Sequence, residues 1–440
     1  MSPAIQDTPK WHKTQSDEES EKPVFVIDVA IVRENANEFI GSWESTEKIN
    51  VMHFIAVKAC ADKPLIDVYD GLKCNFDCAS KGEAKPLLDR GVDAARISLG
   101  NCNLPANELK WCIKKDIQYY AVDSPLQVDH ILKAAHMVAE LEGRDVATVL
   151  AKLKPFCRLI SSSKGSDKPF STHFGVNTEV ALKIIEKAKT DGLTFVGLSG
   201  HPGTQNLAKD VFVQFAKLFR GVFDRVKGEL GSKMKLANIG GGWAGISTKD
   251  APSFTDYNKT TMDAFSSAFA DWDGKLTMMT EPGRALISKA GWLQTHVINI
   301  SQPSLSTDLS TNPRRVYLSA GTHHGLKEGS KISFEWHTRH PPGTKGPCVL
   351  YGPTCDSDDI ILGKDDNGNE RTIDLPLELR VDELIWIYGP AAYGPSYSTS
   401  FTGVPPPKAI YVNCKQRVID RYPDVIHSWD HQTDKVLAKL

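Results

Sequence analysis

From about residue 50 the chain alternates short apolar runs with longer, partly polar segments. The runs fall near 51–58, 73–78, 94–98, 118–123, 156–161, 194–199, 235–239 and 276–280. Their length suits strands, and helix-length segments such as 125–142, 178–190, 209–229 and 258–270 lie between them. Eight strand slots with helices between most of them predict an α/β fold, a (β/α)8 TIM barrel. After about residue 286 the rhythm changes: β-rich runs at 294–300, 314–318, 347–351, 383–388 and 408–412 are broken by Pro and Gly turns. That pattern predicts a second, mainly antiparallel domain, a β-sandwich or β-barrel. An early strand at 24–28, followed by a helix-like stretch at 30–42, could join it. The expected division is a barrel over 31–285 and a β domain over 23–30 and 286–440. Residues 1–22 read as a polar, flexible tail, 364–370 as a polar hairpin or loop around Asn-Gly, and 415–440 as a charged, helix-prone end.

Composition narrows the function classes. A length of 440 residues favours two domains, and 41% hydrophobic with 24% charged residues is ordinary for a soluble globular protein. Lys plus Arg (52) nearly balances Asp plus Glu (54), which argues against a broad nucleic-acid surface. No apolar run approaches the roughly 20 residues that span a bilayer, and the start has no apolar secretory core, so no membrane association is expected. The nine cysteines are scattered and odd in number, which predicts no disulfide framework and a reducing, cytoplasmic setting. Cys74 and Cys78 have no second ligand pair nearby; core packing is the better reading, and no metal site is expected.

Several motifs fall where a barrel keeps its chemistry, at the carboxyl ends of the strands. Lys58 ends the first candidate strand, Asp77 lies near the end of the second and Arg158 within the fifth. His201 follows the sixth, Gly240-Gly241-Gly242 the seventh, and Glu281-Pro-Gly-Arg284 the eighth. Lys58 is either a surface cap on its strand or an amine that condenses with an aldehyde cofactor. The three glycines are either a tight turn or a place where backbone amides approach a phosphate closely, with Arg284 as a charged partner. Their spacing is not that of a dinucleotide fingerprint. Cys355-Asp356 lies in a polar, turn-prone segment, Gly-Pro-Thr-Cys-Asp-Ser-Asp-Asp. Cys355 is a packed or surface thiol, or else a proton donor. Asp356 and Glu335 are solvated charges or anchors for a cationic substrate end.

In this order the motifs resemble the eukaryotic-type ornithine decarboxylase family, fold-type III pyridoxal phosphate decarboxylases, from about Phe25 to Cys414. The resemblance implies a barrel plus a β domain, pyridoxal 5'-phosphate, decarboxylation of a basic L-amino acid, and a homodimer with active sites shared across its interface. Carried over by motif, Lys58 matches the Schiff-base lysine, and Asp77 and Arg158 match polar residues near it. His201 matches a ring-stacking histidine and Glu281 the pyridine-nitrogen partner. Gly240, Gly241, Gly242 and Arg284 match the phosphate clamp, with Thr204 where the family usually has serine. Tyr393 resembles a phosphate-contacting tyrosine and Phe401 a pocket aromatic. Cys355 and Asp356 match a pair that the partner subunit contributes.

Three departures point to a changed substrate or to drift. Ser-Ala-Gly-Thr-His-His-Gly (319–325) replaces a family stretch with a pocket aromatic, so His323 or His324 takes that place. Glu335 is the best match to a substrate-binding aspartate, and Trp243-Ala244 stands where Phe-Pro is usual. His173 occupies the place of a lysine that pairs across the interface with the counterpart of Asp359. The expected activity is decarboxylation of ornithine or a larger or substituted diamino acid, in polyamine or specialised metabolism. A catalytically inactive binding protein and a decarboxylation coupled to oxidative deamination are the alternatives.

Overall fold

A computed structural model describes residues 22–162, 166, 173–230, 234–245, 251–340 and 343–414. The expected tail at 1–22 lies outside these but for Lys22, and the end at 415–440 lies outside them. The first strand, β1 (Val24–Asp28), runs straight into a helix, Val29–Gly41. Asp28 starts that helix by accepting from the Ala30 and Ile31 amides at 2.9 and 3.3 Å. Val32, Ala36 and Phe39 line up on its buried face at helical spacing.

Eight strands follow: β2 (Ile49–Ala56), β3 (Asn75–Cys78), β4 (Ile97–Leu99), β5 (Tyr119–Val122), β6 (Lys154–Arg158), β7 (Gly197–Ser199), β8 (Leu236–Asn238) and β9 (Leu276–Thr280). They pair in parallel in chain order, and β9 pairs back onto β2 to close a barrel. Helices separate most of them, as the apolar rhythm predicts. A plug of Phe54, Phe156, Met279, Leu236 and Ala121 fills the interior. The larger core lies between strands and helices, with Ile55, Phe76, Ile97 and Leu198 among its strand members. The barrel is therefore a packed core whose open chemistry is confined to its carboxyl end.

Two boundaries differ from the sequence pattern in ways that matter for side-chain placement. The run at 94–98 opens as a 3-10 turn, Ala94–Arg96, because the Asp93 carboxylate accepts from the Ala95 amide at 2.9 Å. Lys58 stands beyond β2, in the 3-10 turn Val57–Ala59, so it belongs to the loop over the barrel mouth.

The remaining strands are β10 (Gly291–Ser301), β11 (Arg314–Leu318), β12 (Glu335–Thr338), β13 (Lys345–Tyr351), β14 (Ile373–Pro376), β15 (Leu384–Tyr388) and β16 (Lys408–Val412). With β1 they form a mostly antiparallel eight-stranded sheet, ordered β12-β15-β10-β11-β13-β14, in which β1 pairs with β10 and β16. Only the β11–β13 and β1–β16 pairs are parallel. A register shift between Val297 and Asn299 lets β10 serve β1 and β15 with its first half and β11 with its second. Phe25, Leu293, Val316, Leu318, Leu350 and Ile387 sit in the core of this sheet. At the base of the expected loop at 364–370, an isolated antiparallel bridge pairs Lys364 with Glu370.

Cys74 and Cys78 are buried among apolar residues, in the packing role expected of them.

Candidate active site

A cavity of about 340 Å3 opens at the barrel mouth, within the range of small-molecule sites. Most of the residues singled out from sequence line it: Lys58, Asp77, Arg158, His201, Thr204, Gly241, Gly242, Glu281, Arg284 and Tyr393. Gly240 adjoins it, since a Cβ there would meet the His201 ring at 3.1 Å.

Lys58 Nζ lies 3.6 Å from Asp77 Oδ2. Protein surrounds the lysine, yet 48% of its side chain remains exposed because it stands in the open cavity, whereas Asp77 is buried. Burial pulls the lysine pKa down, but the charges of Asp77, Tyr393 and Glu281 outweigh it and hold the pKa above the ordinary value. Burial, then Glu281, pushes the Asp77 carboxyl upward, while Lys58 pulls it back. Each partner thus competes for one proton, and the lysine, as the stronger base, keeps it. Gly100 makes room for this carboxylate: a Cβ there would stand 2.4 Å from Asp77 Oδ1.

Glu281 is anchored by Asn238, whose Nδ2 donates to Glu281 Oε1 at 2.6 Å while its Oδ1 accepts from the Gly240 amide at 2.9 Å. Asn238 ends β8 and is fully buried, so one side chain ties the glycine turn to the acid at the end of β9. The turn needs its glycines. Gly240 and Gly242 adopt φ of +69° and +113°, and a Cβ would come within 2.5 and 2.4 Å of the Gly200 and Gly203 carbonyl oxygens.

His201 Nδ1 accepts from the Gly203 amide at 3.1 Å, which requires the neutral ring. Burial first, then Arg158 and Lys58, lowers its pKa well below the ordinary histidine value. Arg158 ends β6, and its guanidinium lies 4.9 Å from the centre of the Phe174 ring, which also lines the cavity.

Arg284 is clamped from several directions. Its Nε donates to Thr204 Oγ1 at 3.2 Å, its Nη2 donates to Glu328 Oε2 at 2.7 Å, and its guanidinium lies 4.7 Å from the Tyr393 ring centre. Nη1 is buried with no hydrogen-bond partner among the described residues, a donor that calls for an acceptor brought into the site. Tyr393 holds a left-handed conformation (φ +67°), and its amide donates to the Ala59 carbonyl at 2.7 Å, beside Lys58. Asn238, Phe174, Glu328 and Tyr397 were not singled out from sequence; of these, all but Asn238 line the cavity.

The remaining expected residues do not line it. Cys355 is exposed, and Asp356 Oδ2 lies 2.8 Å from His323 Nε2. The His323 ring stacks on Phe401 at 4.4 Å. Three further residues stand apart from the cavity in this single chain. His324 is completely buried, so it is withdrawn from any ligand. Glu335 opens β12 opposite Tyr388 and lies 3.8 Å from His337, on the sheet and away from the cavity wall. Asp359 does not offer itself to a neighbouring molecule's His173: it is 1% exposed and accepts four bonds within its own chain. These come from the amide and hydroxyl of Thr322 at 2.7 and 2.8 Å, and from the amide and hydroxyl of Thr354 at 3.3 and 2.7 Å.

Residues 34–288 match the family described as "Pyridoxal-dependent decarboxylase, pyridoxal binding domain", more than half of the chain. The chain belongs to this family and is a pyridoxal-phosphate-dependent decarboxylase. It is 26% identical to a probable ornithine decarboxylase of Dictyostelium discoideum over 88% of this chain and 79% of that one. Against the ornithine decarboxylase of Caenorhabditis elegans, identity is 27% over 82% of this chain and 81% of that one. The fold is shared with the arginine decarboxylase of Paramecium bursaria Chlorella virus, solved with agmatine: TM-score 0.74, 21% identity, 90% and 97% coverage. It is shared also with the diaminopimelate decarboxylase of Helicobacter pylori complexed with L-lysine: TM-score 0.73, 21% identity, 90% and 93% coverage. The cavity suits the cofactor: an amine among carboxylates, a flat neutral imidazole, a glycine turn and an unsatisfied buried guanidinium donor all converge on it.

Proposed function

We propose that the chain decarboxylates a basic L-amino acid, ornithine or a larger diamino acid, releasing carbon dioxide and the amine. The observation that carries this reading is the grouping of Lys58, Asp77, His201, Glu281 and Arg284 around one cavity, with a further carboxylate, Glu328, in its wall. The activities of relatives support the substrate class: ornithine, arginine and lysine decarboxylases recur among them.

Pyridoxal phosphate, when bound, supplies an aldehyde for an amine and a ring that withdraws electrons from the carbon losing carbon dioxide. Lys58 presents the amine, and it must give up its proton before it can act as a nucleophile. Asp77, 3.6 Å away, is placed to take part in that transfer. Arg284, Thr204 and the amides of the 240–242 turn would hold the phosphate. Glu281, fixed by Asn238, would serve as the carboxylate that keeps the ring nitrogen protonated. His201, kept neutral, would offer a flat imidazole to the ring and would not compete for that proton. Tyr393 backs Arg284 and its left-handed turn fixes the loop beside Lys58. The substrate's cationic end meets a carboxylate of the wall; Glu328 takes over there the part expected of Glu335.

Cys355 and Asp356 enter from a second copy of the chain. The exposure of Cys355 and the absence of both residues from their own chain's cavity wall support that reading, because a proton donor must reach the carbon it serves. His323 and Phe401 accompany them as one surface patch, with His323 orienting Asp356. The active assembly is then a homodimer, working in the cytoplasm.

The test is carbon dioxide release by purified, cofactor-loaded protein offered L-ornithine, L-lysine and L-arginine in turn, with a Lys58→Ala control. Release from one of them with stoichiometric amine, abolished in the control, is the expected result. Hydrogen peroxide with an aldehyde in place of the amine would establish oxidative deamination. Activity restricted to a neutral amino acid would overturn the substrate class.

A further inference from the structure

Glu328 comes to the cavity from the loop between Gly325 and β12, far from the barrel strands in sequence. It meets Arg284 in a shielded ion pair, Oε2 to Nη2 at 2.7 Å, with side chains only 11% and 4% exposed. Thr204 and the Tyr393 ring fix the rest of the guanidinium, and Nη1 alone lacks a partner among the described residues. One cation is therefore already matched by one carboxylate in a setting where charges are weakly screened. A phosphate brings a second anion to the same group. Two anions at one shielded guanidinium repel each other, and the doubly charged one binds it more strongly.

We propose that Glu328 is a built-in competitor of the cofactor phosphate for Arg284. Its carboxylate occupies the guanidinium until the phosphate takes it, and the exchange turns that carboxylate loose into the cavity. The inference rests on the reading of Arg284 as phosphate partner and goes beyond it, because it makes cofactor loading and the freeing of an acidic wall residue a single event. Unphosphorylated pyridoxal fills the ring site without displacing Glu328, so the two cofactor forms report on the competition separately.

The experiment is equilibrium titration of cofactor-free, full-length protein with pyridoxal phosphate and with pyridoxal, followed by cofactor absorbance. Glu328→Gln is expected to bind pyridoxal phosphate about tenfold more tightly than wild type while pyridoxal affinity changes less than about twofold. Glu328→Asp, which keeps the charge, is expected to track wild type. Weaker pyridoxal phosphate binding in Glu328→Gln, or equal changes for the two ligands, overturns the competition and leaves Glu328 as a packing residue. A common shift in the Gln and Asp variants also overturns it, since shape and not charge would then govern. Glu328→Ala carries the same expectation should the Gln variant fold poorly. Arg284→Gln separates the two kinds of failure. If it leaves the preference for the phosphorylated form intact, Arg284 is not the phosphate partner and the underlying reading falls. If it collapses that preference while Glu328→Gln moves nothing, the competition alone falls.

Discussion

The barrel-mouth cavity and the Cys355 patch contain similar kinds of side chain, yet they are built in opposite ways. In the cavity, acids and bases face inward, are shielded, and hold one another: Asp77 with Lys58, Asn238 with Glu281, Glu328 with Arg284. In the patch the thiol is exposed, a carboxylate and an imidazole pair at the surface, and the neighbouring Phe401 ring is 45% exposed. A group held among many partners is tuned by its own chain. A group left at the surface takes its environment from whatever covers it. The difference teaches that one chain gathers the cofactor-site residues into a shielded cavity while it leaves the Cys355 group at the surface.

The strongest way to break that comparison is to separate its halves. Cys355→Ala is expected to lower carbon dioxide release by about 10²–10⁴-fold, the usual worth of a positioned acid, without changing cofactor absorbance. Mixing it with the Lys58→Ala protein, inactive for a different reason, should restore activity to about a quarter of wild type if each site draws on two chains and subunits exchange at random. No recovery after verified subunit exchange would place Cys355 in its own chain's chemistry and end the comparison.

A second test asks what holds the patch in place. Asp359 stitches the turn at Thr322 to the loop at Thr354, and Gly321 and Gly352 approach so closely that a Cβ would come within 2.3 and 2.2 Å of its oxygens. Asp359→Ala leaves several shielded donors unpaired and is expected to cost about 3 kcal/mol in unfolding free energy, read from denaturant melts. A loss below about 1 kcal/mol would show that the patch is held from outside.

The smallest effect concerns pH. His53, on β2 away from the cavity, packs against Phe39 and Trp43, and burial lowers its pKa to about 4. An unfolded histidine titrates near 6.5, so between roughly pH 6.5 and 4 the unfolded chain binds the extra proton. Stability attributable to this group is therefore intact above pH 6.5 and falls as the pH drops toward 4. After allowance for partial exposure the loss is about 2 kcal/mol, and His53→Gln should flatten that part of the stability profile. An unchanged slope would assign the acid sensitivity to His201, at the cavity.

Much of this was legible in the chain. Strand-sized apolar runs announced every barrel strand, and the strand ends located Lys58, Asp77, Arg158, His201, Glu281 and Arg284, because period and position are local properties of sequence. Glu328 was not legible. In Lys-Glu-Gly it reads like any solvated charge, and only the folded loop brings it to an arginine forty-four positions away. Asn238 was hidden differently, as a polar ending to an apolar strand whose two bonds run to the glycine turn and to the acid at the end of β9. Glu335 illustrates the converse: resemblance chose an acid by alignment, and strand pairing put it opposite Tyr388. Asp359 shows the same limit, since no pattern in sequence reveals that four donors converge on a single carboxylate.

The place of β1 has a consequence for how the molecule is made. It lies between β10 and β16, and the parallel register of Ile27 with Tyr411 joins residues from opposite ends of the described chain. This strand therefore has no sheet neighbour until β10 has been synthesised, and its other edge waits for β16. All eight barrel strands can find their partners in the interval, while the apolar edge of β1 waits uncovered. The slow step in maturation is then the late docking of β16 and β10 around a strand made long before, the interval in which a chaperone would be most needed.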